Sequence, residues 1–111
     1  MHQGVRAMIK VTFTPDKYDL AIEGHAGCGE KGQDIVCSAA SILFYTYGQS
    51  LSESKEMLEA NTFTDKDGFG HCACTPKKEY EGNIARSYWT IMQGFILLAG
   101  NYPDNVKIFM K

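Results

Sequence analysis

The chain has 111 residues, 44% of them apolar and 22% charged, which suits one compact soluble domain and excludes a disordered chain. A net charge of −2, with eleven basic residues scattered along the sequence, argues against a nucleic-acid binder, because such domains gather their cations on one face. No run approaches the ~18 apolar residues of a membrane helix, and the first ten residues lack the apolar segment of an export signal. The expectation is therefore a cytoplasmic protein whose four cysteines are thiols rather than a disulfide framework.

Residues 1–7 read as a loose tail, with Met8 as an alternative start. Met8 to Phe13 alternates and is rich in β-branched and aromatic side chains, which predicts a strand. Pro15-Asp16-Lys17 is a turn, and Tyr18 to Glu23 alternates again as the second arm of a hairpin. Gly24 to Gln33 then holds four glycines in ten residues, a density that permits unusual backbone angles and close approach of another chain. Asp34 is a good N-cap for a helix from Ile35 to about Gly48, with Gly48 as its stop.

Leu51 to Phe63 is ambiguous by propensity; its position favours a short strand around Met57 to Phe63. Asp65-Lys66-Asp67-Gly68 signals a hairpin turn and Phe69 to Thr75 the returning strand. Asn83 to about Ala99 reads as a second helix ending at Gly100, and Val106 to Met110 as a last strand. The fold class is α+β: a mostly antiparallel sheet of about five strands packed against two helices, in the order strand-strand-helix-strand-strand-helix-strand. The whole of 1–111 is read as a single domain.

Chemistry concentrates around Cys37. With Asp34 as cap, Cys37 lies in the first helical turn, where unpaired N–H groups and the helix dipole favour a thiolate, the reactive form of cysteine. His25 ends the second strand and opens the glycine-rich segment that leads back to that helix, so the two can form a thiolate–imidazolium pair. Asp34 is the helix cap or a group that orients His25. Gly24, Gly27, Gly29 and Gly32 form a segment whose backbone suits an oxyanion or a peptide, or a plain connection. It does not match a phosphate-cradling loop.

The run Gly24-His25-Ala26-Gly27, followed by Gly32-Gln33-Asp34-Ile35-Val36-Cys37-Ser38-Ala39-Ala40-Ser41, resembles the signature of the ribosomal-processing cysteine proteases, the Prp family. The resemblance implies a homodimeric cysteine endopeptidase needing no cofactor, which removes a short N-terminal extension from a large-subunit ribosomal protein precursor. Cleavage in that family falls after paired phenylalanines and before a small residue. It implies His25 and Cys37 as the catalytic pair, the glycine-rich loop over the site, and oxyanion donors at the backbone N–H groups of Cys37 and Ser38. Departures at Cys28, in the Ser38-Ala39-Ala40-Ser41 run and around His71-Cys72-Ala73-Cys74 leave room for a paralogous or phage-associated peptidase that trims another protein.

The rival from another class is a zinc-binding module using His25, Cys28, Cys37, Cys72 and Cys74. Against it, no paired Cys-x-x-Cys spacing occurs, and Cys72 and Cys74 share a strand face from which His71 points away. A third reading is a non-catalytic module that takes a partner strand at a sheet edge. Tyr45, Tyr47, Tyr88 and Trp89 are expected in the core or at a dimer contact, with any exposed members available to line a subsite.

Overall fold

The structure, a computed structural model, describes residues 8–24 and 35–111. The tail at 1–7, and His25, Gly27, Cys28, Gly29, Gly32 and Asp34, lie outside the described residues.

Strand β1 (Ile9–Thr14) buries Ile9, Val11 and Phe13 and turns Lys10, Thr12 and Thr14 the other way. A single 3-10 turn at Pro15–Lys17 follows, and Tyr18 closes it in the left-handed region with φ of 50°. The second strand, β2 (Asp19–Glu23), therefore starts one residue later than the alternation suggests. Helix α1 (Ile35–Glu53) aims Val36, Ala40, Phe44, Tyr47 and Leu51 into the core, a stripe with steps of three and four residues. Beyond it come β3 (Leu58–Lys66), β4 (Phe69–Pro76), α2 (Glu81–Asn101) and β5 (Val106–Met110).

The sheet order is β3-β4-β2-β1-β5. Three pairings are antiparallel and β1 lies parallel to β5, so the sheet is mixed. The inward side chains of β1, β2 and β4 join those of both helices in one core, so the helices cover a single face. Two buried tyrosines tie the helices to the start of β2: Tyr47 donates to the Tyr18 carbonyl at 2.7 Å, and Tyr88 donates to the Asp19 carbonyl at 2.6 Å. Burial pushes both phenol pKa values up, which holds the hydroxyls as donors.

Two helix ends differ from the sequence reading. Gly48 does not stop α1, which runs on to Glu53. The reason for glycine there is packing: a Cβ at Gly48 would stand 2.5 Å from Cε1 of Phe63, whose ring lies against the helix. Gly100 likewise falls inside α2, where added atoms meet open space. The β3–β4 hairpin turns at Asp67 and Gly68, with φ of 52° and 81°, the conformation that a two-residue Asp-Gly turn favours.

Candidate active site

Gly24 ends β2 under two independent constraints. Its φ is +91°, which side-chain-bearing residues rarely adopt, and a Cβ would sit 2.6 Å from the carbonyl oxygen of Met8. Its N–H donates to the carbonyl of Gly68 at 2.9 Å, pinning the strand end to the tip of the β3–β4 hairpin. The chain thus leaves the sheet at a defined point, and His25 is the next residue.

The direction of α1 follows from what it touches. Phe44 packs over Gly70, which pairs with Ile22, while Gly48 packs against Phe63, which pairs with Cys72 one row further from Gly24. Reading α1 backwards therefore leads toward the Gly24 end of the sheet. Cys37 lies seven residues before Phe44, about 10 Å further in that direction at 1.5 Å per residue. The start of α1 and the exit from β2 therefore lie toward the same end of the sheet.

Cys37 is half-buried against the edge of the core, in a first turn that contains no acidic residue. The unpaired N–H groups of that turn favour a thiolate, and no carboxylate within it opposes one. Ser38 is exposed beside it. The sulfur of Cys37 is engaged in a disulfide, whereas Cys72 and Cys74 are free. The expectation of four thiols thus holds for the buried pair and fails at Cys37.

The other candidates separate. Cys72 and Cys74 lie under the helices, where burial first, and then the neighbouring Cys74 and Asp19, pushes the Cys72 thiol up to about 12; burial also raises Cys74. His71 points to the helix-free face, where its Nε2 lies 2.7 Å from a carboxylate oxygen of Asp19. Among the described residues no group of three or more His, Cys, Asp or Glu side chains gathers to hold a metal. Tyr47 and Tyr88 are core residues, but Tyr45 and Trp89 are exposed.

Sequence reasoning missed the aromatic wall of α1. Phe63 stacks on Phe44 with ring centroids 5.2 Å apart, and Tyr45 donates its hydroxyl to Asp65 of the same strand. Beside them Tyr45, Gly48, Gln49, Ser52, Lys55, Asn61 and Phe63 line a cleft of about 420 Å³. The signal that could have found it is Gly48 itself, a helix-interior glycine that needs a packing reason.

A cysteine in the first turn of a helix is one setting in which a thiol is activated as a nucleophile. Residues 8–107 match the family described as Cysteine protease Prp, and the chain belongs to that family. It is a cysteine protease. The ribosomal processing cysteine protease Prp of Staphylococcus aureus (strain Mu50 / ATCC 700699) is 27% identical over 94 residues, covering 84% of this chain and 86% of that relative. The crystal structure of the essential ribosomal processing protease Prp from S. aureus, in complex with a covalently linked product peptide, shares the fold. Its TM-score is 0.74 at 23% identity, over 94% of this chain and 100% of that one. A Streptococcus mutans protein, SMU.848, does so with a TM-score of 0.70 at 22% identity, over 99% of this chain and 97% of that one.

No helix among the described residues is long and apolar enough to cross a membrane.

Proposed function

We propose that this chain is a cytoplasmic, homodimeric endopeptidase, one domain over 1–111, that removes a short N-terminal extension from a large-subunit ribosomal protein precursor. The Cys37 thiolate attacks the scissile carbonyl, and His25 protonates the departing amine and then activates the water that releases the acyl-enzyme. Backbone N–H groups at the start of α1, those of Cys37 and Ser38, stabilise the oxyanion; Asp34 caps the helix or orients His25. Gly24, Gly27, Gly29 and Gly32 let the backbone of the loop lie close along the substrate. No cofactor takes part.

The observation that carries this reading is the convergence of the α1 start, with Cys37 in its first turn, and the Gly24 exit of β2 at one end of the sheet. The relatives add the substrate class: a curated relative is named as a ribosomal processing protease, and the S. aureus structure holds a product peptide by a covalent link.

The test is cleavage of a peptide bearing a Phe-Phe-small junction, followed by mass spectrometry under reducing conditions. We expect Cys37→Ala to lower kcat by about 10⁴ or more and His25→Ala by about 10²–10⁴. A Cys37→Ala variant as fast as the wild type overturns the assignment. An unreactive peptide, with Cys37 still the fastest cysteine to alkylate, keeps the peptidase and moves the substrate to another protein, as in a paralogous or phage-associated relative. Metal release on thiol modification would favour the zinc module instead.

A further inference from the structure

Strand β3 sits at the edge of the sheet and is the longest of the described strands, yet Leu58 is its one buried residue. Proteins commonly blunt such an edge with proline or with charge, because its outer N–H and C=O groups are ready to pair with another chain. The stretch Ala60-Asn61-Thr62-Phe63-Thr64 has neither, and the shift in its pairing with β4 lies at the far end, between Leu58 and Ala60. The open edge also begins beside the candidate site: the tip of the β3–β4 hairpin is bonded to Gly24 through the Gly68 carbonyl.

The helix beside that edge leads the same way. Gly48 lies eleven residues after Cys37, about three turns, so both occupy one face of α1, about 16 Å apart along its axis. That face looks toward β3, since a Cβ at Gly48 would stand against the Phe63 ring. Between them lies the cleft of about 420 Å³, with Tyr45, Gly48 and Gln49 on the helix side and Asn61 and Phe63 on the strand side. Lys55 is the one charged residue of its lining. Phe63 stacks on Phe44 with one side of its ring and remains 48% exposed. A glycine facing a half-open aromatic ring leaves room for a large apolar side chain from outside.

We propose that this cleft and the β3 edge form a remote substrate subsite: the peptide runs from Cys37 in extended form, adds to β3 as a further strand, and places a large apolar side chain between Phe63 and Gly48. The proposal rests on Cys37 being the nucleophile of a peptidase. Distance decides which substrate residue enters. Tyr45 and Gly48 stand about 12 Å and about 16 Å beyond Cys37 along α1. An extended chain advances about 3.3 Å per residue, so the occupant is the fourth or fifth residue from the cut. Two residues reach no further than about 7 Å, so the Phe-Phe-small junction itself falls short of the cleft. Pairing with β3 narrows the choice again, because alternate side chains of a strand face opposite ways and the occupant's neighbours point away from the helix. Main-chain pairing supplies affinity that is blind to sequence, and the cleft supplies the selection.

The experiment uses the full chain under reducing conditions and a set of peptides with a Phe-Phe-Ala centre in long serine and threonine flanks. A single leucine is moved through each flanking position on both sides of the cut, and kcat/KM is read by mass spectrometry. The expected result is a best position at the fourth or fifth residue on one side, cleaved about tenfold more efficiently than the leucine-free peptide, as partial burial of one apolar side chain supplies. In Phe63→Ser that ratio, taken within the variant, falls to about one. Methylating the leucine's own amide nitrogen, or that of the next residue, removes the gain in one case and spares it in the other, because successive amides of a strand point to opposite edges. The proposal is overturned if leucine helps nowhere or most at another position, if Phe63→Ser keeps the wild-type ratio, or if the two methylations act alike. The peptide scan is read on wild-type protein, so it decides the matter even if the variant folds poorly. Cleavage that ignores the leucine sinks the subsite and leaves the catalysis; a reduced wild type that cleaves no peptide of the set sinks the peptidase reading and the subsite with it.

Discussion

Gly70→Ala is the substitution whose cost the packing defines most sharply. A Cβ at Gly70 would lie 2.8 Å from both Cε2 and Cζ of Phe44 and 3.2 Å from Cε1. Comfortable carbon–carbon contact begins near 3.5 Å, so the ring must retreat by about 0.7 Å. It has nowhere to go: Phe44 is fully buried, stacked on Phe63 and tilted against Tyr45. Overpacking of this kind costs about 1–3 kcal/mol. Replacing a strand-interior glycine by alanine returns about 0.5–1 kcal/mol of backbone entropy. The net loss is about 0.5–2 kcal/mol, which for a chain of this size lowers Tm by about 2–8 °C.

Gly48→Ala supplies the control. Its Cβ would come closer still, 2.5 Å from Phe63, yet the Phe63 ring is 48% exposed and can swing outward. That movement forfeits the stack on Phe44, about 0.5–1.5 kcal/mol, while the helix gains about 0.8–1 kcal/mol from losing a glycine. Urea melts of both variants should therefore show Gly70→Ala clearly destabilised and Gly48→Ala within about 0.5 kcal/mol of the wild type. Phe44→Leu in the Gly70→Ala background should recover about 1 kcal/mol relative to additivity, because the clashing ring atoms are gone. The reasoning fails if Gly48→Ala loses more than Gly70→Ala, or if the double variant is simply additive.

Alkaline pH should destabilise the fold. Tyr47, Tyr88 and Cys72 all hold their protons more tightly when folded, chiefly through burial, so the unfolded chain ionises first. Stability is then unaffected by these groups below about pH 9, and falls above it by up to about 1.4 kcal/mol per pH unit for each group, with Cys72 ceasing to contribute near 12. Melts across that range should show the decline, and Tyr47→Phe should make it shallower; an equally steep Tyr47→Phe curve would refute the assignment. His71→Ala should cost at most about 1 kcal/mol, because its Asp19 pairing is partly solvated, and should leave peptide cleavage intact. A large loss of cleavage would place His71 in the reaction. Tyr88→Phe removes the donor to the part-buried Asp19 carbonyl and should cost about 1–2 kcal/mol in a urea melt, with no change in Cys37 alkylation after reduction.

The parts of the fold that are legible in the sequence are those whose burial is one-sided. The β1 alternation, the Asp67-Gly68 turn and the β5 run all carry a period-two or turn signal. The segment before Phe63 reads ambiguously because β3 is an edge strand in which every residue after Leu58 is exposed, so no buried face imposes a period. The parallel β1–β5 pairing joins strands more than ninety positions apart, and no local pattern encodes it. Tyr45 and Tyr47 look like one aromatic set in the sequence, yet two positions on a helix are about 200° apart, so one reaches the core and the other faces out.

The candidate site is legible for a different reason. Its chemistry is written in short range: a histidine after a strand, glycines, then a cysteine three residues into a helix. What the local pattern lacks is the account of how α1 and the β2 exit are aligned on the sheet. That lies in contacts between distant positions: Met8 behind Gly24, Gly68 bonded to it, and Gly70 admitting Phe44 so that α1 points its first turn to the same end of the sheet. Each depends on a glycine whose partner is far away in sequence. A side chain at Gly24 or Gly70 would therefore disturb the approach of the β2 exit and the α1 start while leaving every residue of the His25–Cys37 motif unchanged. For Gly24→Ala the left-handed φ and the Met8 carbonyl act together, so the loss of cleavage should exceed what its loss of stability explains; a variant that melts early but cleaves at full rate below its Tm would show that the strand exit does not set the site.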